Sequence, residues 1–165
     1  MRSLVFFGTV VFALALSFVL VGFCSPIEQS SEMSKQFSCS KETLWDQVTS
    51  IELFPEIKDE VYEVKLISEN ESKKWVEYSK IGAKRVLEVE EEIPGEKLVV
   101  KIFDPSLDIE KTRIYSFFGD EHASVLSIKE FVRVEKILLR STMAISGHKH
   151  SIKKELDEFA DYITL

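Results

Sequence analysis

The chain has 165 residues, a net charge of −7 and 45% hydrophobic residues. That apolar share argues against global disorder. The acidic balance argues against a nucleic-acid partner, because phosphate binding needs concentrated Lys and Arg.

From Ser3 to Ile27 no residue is charged, and Leu4–Phe23 is mostly Leu, Val, Phe and Ala. Arg2 precedes this run and Cys24-Ser25-Pro26 follows it, the order of a secretory signal. An apolar part of about 20 residues is also long enough to span a bilayer as a helix. Three fates are open. Gly22 and Cys24 form a small-x-small pattern that allows cleavage before Ser25. Val21–Cys24 resembles a lipobox, with Phe23 departing from it, so Cys24 is a candidate for lipidation. Retention would leave an anchor with its basic end in the cytoplasm and the domain outside. All three place the domain outside the cytoplasm, either secreted or periplasmic, or anchored to a membrane.

Residues 1–24 are therefore read as signal peptide or membrane anchor, 25–32 as a polar linker and 33–165 as the working domain. Without residues 1–24 the net charge moves to about −8, since they hold Arg2 and no acid. Cys39 reads as a small buried thiol, and two cysteines imply no disulfide framework.

Met33–Cys39 reads as a first strand. Ser40 is a good N-cap for a helix with Leu44, Trp45 and Val48 on its apolar face, ending near Ser50. Residues 51–58 predict a second short helical turn at Pro55. The period then changes to two. Strands are predicted around Tyr62–Ile67, Lys74–Ile81, Lys84–Ile93, Leu98–Phe103, Glu110–Phe118 and Ala123–Val132, with a turn at Pro94-Gly95. Glu88, Glu90 and Glu92 form a solvated strand face. Such spacing implies an antiparallel meander with one buried face. From Val134 to Ile163, apolar residues recur about every 3.6 positions, predicting one long helix with Gly147 as its weak point.

Strand, two short helices, meander and long helix, in that order, resemble the START-like superfamily, also called the helix-grip or SRPBCC fold. Within it the chain is most similar to the polyketide cyclase/dehydrase-like branch. Ser40–Pro55, with Trp45-Asp46 and Phe54-Pro55, carries the likeness. So do Gly82, the Ile93-Pro94-Gly95-Glu96 turn and Leu156-Asp157-Glu158-Phe159-Ala160 in the last helix. The resemblance implies an α+β helix-grip fold: a curved antiparallel sheet wrapped round a long C-terminal helix, with two short helices after the first strand. It also implies a cavity for an oily ligand, and no shared catalytic residues.

Ser141, Ile145, His148 and Ile152 lie on the apolar stripe of the last helix. Ser141 and His148 are its polar members, suited to a ligand headgroup or simply to a satisfied polar pair. Arg113 and Tyr115 share a strand face with Phe117, where an ordinary ion pair competes with ligand orientation. Tyr62, Trp75, Tyr78 and Phe103 supply aromatic surface for core or pocket. His148 and His150 sit roughly 200° apart round a helix and cannot share a metal. No HExxH, CxxC, glycine-rich phosphate loop or GxSxG is present, so no metal, cofactor or catalytic set is predicted. Asn70-Glu71-Ser72 matches a glycosylation sequon. The expected partner is a hydrophobic small molecule or lipid, with the membrane as a second partner through the N-terminal segment or Cys24. A cyclase-like enzyme and an interaction domain with a filled core are the alternatives. The sequence does not give an oligomeric state.

Overall fold

The computed structural model describes residues 2–68, 72–146 and 149–163, with only the backbone described at 2–6, 8 and 146. Helix α1 spans Arg2–Cys24. Strand β1 follows at Glu28–Phe37, then α2 at Lys41–Thr49, a 3₁₀ turn at Ile51–Leu53 and α3 at Phe54–Ile57. Strands β2 (Val61–Ser68), β3 (Lys74–Ser79), β4 (Lys84–Ile93), β5 (Lys97–Asp104), β6 (Ile109–Gly119) and β7 (Ser124–Arg133) come next. Helices α4 (Ile137–Ser146) and α5 (His150–Ile163) close the chain.

The strands form one antiparallel sheet in the order β1-β7-β6-β5-β4-β3-β2. Irregular register at Val61/Glu63, Leu66/Ser68 and Val89/Glu91 bends the strands locally, as bulges do. The sheet curves, and α5 lies in its concavity. One core fills the space between them, with Leu44, Leu126, Ile128, Ile152, Leu156 and Phe159 all almost wholly buried. A smaller cluster of Ile109, Val132 and Val134 packs against Leu139 and Met143 of α4.

Local chemistry explains the boundaries. The Ser40 hydroxyl accepts the Thr43 N–H at 3.1 Å, closing the first turn of α2. At the β4–β5 turn Gly95 has φ 73°, and the Glu96 N–H reaches the Ile93 carbonyl at 2.9 Å. With proline before it, this is a type II turn, which glycine alone adopts without strain. Ser40→Ala is expected to cost about 1 kcal/mol, lowering the melting temperature by about 2–4 °C in thermal unfolding followed by circular dichroism.

Two expectations change. Residues 28–32, expected as linker, pair with β7 from Glu28↔Arg133 onward. They start an edge strand whose side chains alternate between exposed and buried, although all five are polar. The single helix expected from Val134 to Ile163 is two helices, because its halves pack on different surfaces. Helix α4 packs on α1 and the small cluster, whereas α5 packs in the main core. His148, Asn70 and Glu71 lie outside the described residues. Cys24 and Cys39 are free thiols, Cys24 exposed and Cys39 half-buried beside the Ser124 hydroxyl at 3.6 Å.

Candidate functional site

Seven charged side chains meet where the concave sheet face touches α5. Arg113 on β6 faces Glu130 on β7 in direct register, with its Nε donating to Glu130 Oε2 at 2.6 Å. Glu77 on β3 faces Arg85 on β4 in the same way, at 3.3 Å. Glu155 of α5 joins the two pairs. One of its oxygens accepts from Arg113, and the other lies 3.1 Å from Lys58 Nζ and 3.2 Å from the Tyr115 hydroxyl. Lys58, at the end of α3, also lies 3.2 Å from Glu77 and sits 4.0 Å over the Phe54 ring. Lys111 completes the set 3.6 Å from Glu130.

Burial makes these charges consequential. Glu77 and Glu130 are 2% exposed, Glu155 4% and Arg113 7%. Burial alone raises the pKa of Glu155, but the Arg113 and Lys58 charges, with hydrogen bonds from Lys58 and Tyr115, outweigh it and bring it to about 2. Burial would lower Lys58, yet Glu155 and Glu77 raise it well above the usual lysine range. The Tyr115 phenol is pushed up, first by burial and then by the Glu155 charge. Lys111 is lowered by burial, which exceeds the opposing pull of Glu130. Glu155 is thus locked ionised, and Lys58 and Tyr115 locked protonated, at neutral pH.

Beside this cluster the core holds a narrow apolar cavity of about 20 Å³, lined by Ile51, Phe54, Trp75, Leu87, Val100 and Phe159 among others. Trp75 is 2% exposed, and its indole N–H has no hydrogen-bond partner among the described residues. At the rim, Lys73 Nζ donates to the Thr49 carbonyl at 3.1 Å and bridges the end of α2 to the start of β3. A polar cavity of about 150 Å³ lies on the other side of the charges, between Arg85, Arg113, His150 and Glu155. The widest groove, about 680 Å³, runs outside the core past Phe103 and Phe131.

The structure sorts the sequence candidates. Trp75, Arg113, Tyr115, Phe117 and Ile152 are buried together on the concave side. Phe117 packs edge-on against Trp45 at 4.9 Å. Tyr62 and Tyr78 pair with each other away from the core, their ring centres 6.2 Å apart, with Tyr62 54% exposed. Phe103 is exposed because the inward residues of β5 are Leu98, Val100 and Ile102. Ser141 is buried against α1, not the core, and Ile145 is exposed. Lys58, Glu77, Glu130 and Glu155 were not expected. Glu77 alternates with Trp75, and Glu130 with Ile128 and Val132, so strand parity alone marks both as inward.

No protein-family model and no curated protein matches the sequence. Solved structures do. The Zhui aromatase/cyclase from Streptomyces sp. R1128 superimposes with a TM-score of 0.72 at 7% identity, covering 83% of this chain and 94% of that one. Norcoclaurine synthase from Thalictrum flavum gives 0.66 at 6% identity, covering 88% and 91%. Protein MLL2253 from Mesorhizobium loti gives 0.65 at 15% identity, covering 82% and 97%. The chain has the helix-grip fold. At these identities the likeness is one of fold, and the helix-grip frame assigns no chemistry by itself. In helix-grip terms, α5 is the gripped helix, and Glu155 fastens it to the sheet through buried charge.

Proposed function

We propose that the protein binds a small apolar molecule between its sheet and α5, and works outside the cytoplasm tethered to a membrane by α1. The observation that carries the reading is the narrow apolar cavity lined in part by Trp75, whose buried indole N–H has no partner among the described residues. A buried donor left unsatisfied is rare in native proteins and calls for an acceptor. The cavity as it stands has room for about one water. A larger occupant enters by parting the Lys73–Thr49 contact at the rim, and its apolar burial offsets the opening.

The rival reading is an enzyme, suggested by the aromatase/cyclase and the synthase among the structural neighbours. Proton transfer works best through a group titrating near the operating pH. Glu155, Lys58 and Tyr115 are all held far from neutrality, which favours binding over acid–base turnover.

The tether rests on α1. Among the residues whose side chains are described no helix is long and apolar enough to cross a membrane; in α1 these are Phe7 and residues 9–24. The full 23 residues of α1 extend about 35 Å as a helix, enough to span the hydrocarbon core. Retention is favoured over cleavage by the contacts α1 makes with the rest of the chain. Phe18 O accepts from Ser141 at 2.7 Å, and Ser25 O accepts from Arg140 at 3.1 Å. Cleavage before Ser25 would remove the first of these and expose the buried side of α4.

A probe with carbonyl acceptors, 1,4-naphthoquinone, tests the site by calorimetry on the full chain in mild detergent. Saturable one-to-one binding is expected, weakened roughly fivefold to tenfold in Trp75→Phe, the value of about one hydrogen bond. Equal affinity in the two proteins would remove the indole from the site. No binding to either would contradict the reading.

A further inference from the structure

We infer that α4 is a second membrane-contacting element, lying in the bilayer interface beside α1 and fixing the domain against the lipid; this rests on the tethered reading above. Helix α4 has three faces. Ile137 and Ser141 face α1, Leu139 and Met143 face the domain, and Leu138, Thr142 and Ile145 face outward. Leu138 is 60% exposed and Ile145 66%, so the outward face of α4 carries two bare apolar side chains beside Thr142.

The helices are joined closely. A Cβ on Gly22 would fall 2.2 Å from both the Ile137 carbonyl oxygen and the Ser141 hydroxyl, so only glycine allows this approach. Small residues at a helix contact are how helices pack in lipid, where no hydrophobic force draws them together. The hydroxyl groups are closed off as lipid requires, whereas the buried Arg140 Nε has no hydrogen-bond partner among the described residues. Ser17 donates to Ala13 O, Ser25 to Val21 O, Thr142 to Leu138 O, and Ser141 to both Phe18 O and Ile137 O. Arg140, the one charged residue of α4, is buried with a guanidinium N–H on Ser25 O.

The occupant is lipid and not a second copy of the chain. Exposed apolar residues follow one another round α1, as at Val10-Val11-Phe12 and Val19-Leu20-Val21. Three successive residues cover about 200° of a helix, so no single protein surface covers them all, whereas a bilayer surrounds them. The stripe of α4 continues that surface. Beyond it come exposed Lys149, His150 and Lys153, suited to anionic headgroups.

The test places an environment-sensitive fluorophore at single cysteines in a Cys24→Ser, Cys39→Ser background. Positions are Leu138→Cys, Ile145→Cys, Phe12→Cys and, on the exposed sheet face, Lys101→Cys. The full chain is reconstituted in phosphatidylcholine–phosphatidylglycerol vesicles carrying nitroxide lipids. At least twofold quenching by shallow nitroxide is expected at 138 and 145, quenching by deep nitroxide at 12, and none at 101. If 12 is quenched while 138 and 145 behave like 101, the α4 inference is overturned and the tether stands. If 12 is not quenched either, both fail. Protection of 138 and 145 from nitroxide and aqueous iodide alike, with crosslinking between copies, would replace lipid with a second chain and overturn the inference. Matching circular dichroism across the four variants confirms that each reading comes from folded protein.

Discussion

Glu155→Gln is expected to destabilise the domain by about 3–5 kcal/mol, the usual cost of breaking a buried ion pair from one side. The amide keeps the shape of the carboxylate but leaves buried Arg113 and Lys58 with one anion each, Glu130 and Glu77. The pH dependence gives the same effect a second signature. The folded pKa of Glu155, about 2, lies below the ordinary glutamate value of 4.5, so its contribution is present above pH 4.5 and fades as pH falls toward 2. A depression of that size is worth about 3 kcal/mol. Lys58 works in the opposite sense. Its raised pKa contributes stability below the ordinary lysine pKa, which is lost as pH rises through the folded value. Urea unfolding between pH 2 and 7 should therefore show a steep acid loss in the wild type and a shallower one in Glu155→Gln. Parallel curves would mean that Glu155 is not coupled to the two cations.

Phe159→Ala is expected to cost a similar 3–5 kcal/mol, for a different reason. Phe159 is 1% exposed, packs edge-on to Phe54 at 6.5 Å and lines the interior cavity. Its loss removes buried apolar surface and leaves a void that the curved sheet refills only in part. The enlarged cavity is lined by apolar side chains, the kind that stays dry and takes up small aromatic molecules. Benzene should therefore raise the melting temperature of Phe159→Ala while leaving the wild type unmoved. Destabilisation without that rescue would show that the core collapses onto the gap.

Much of the fold was legible because period-two and period-3.6 patterns report directly on which side of an element is wet. The strands, the Ser40 cap and the Pro94-Gly95 turn followed from that chemistry. The polar start of β1 did not, since its buried positions Gln29 and Ser31 are as polar as the exposed ones and leave no period-two pattern. Nor did the division of the last helix, because one continuous apolar stripe fits two helices packing on two different surfaces.

The site was legible only in half. Trp75 and Tyr78 stand at odd and even positions of one strand, so they could not share a face, and parity alone separates them. Phe103 fails for the same reason against Val100 and Ile102. The charged cluster stayed hidden because a buried Glu looks like a surface Glu until its partners, from four strands and two helices, are brought together. Glu155 fell between the apolar stripe and the charged face of its helix, which is where a residue that anchors the helix to a polar seam belongs.

Native mass spectrometry of the intact chain, purified from membranes in mild detergent, tests the central claim most directly. The account predicts a one-to-one complex with a small apolar molecule, displaced by 1,4-naphthoquinone at the same stoichiometry. A chain that carries no such molecule, and takes up no naphthoquinone in excess, would contradict it and leave a domain with a filled core.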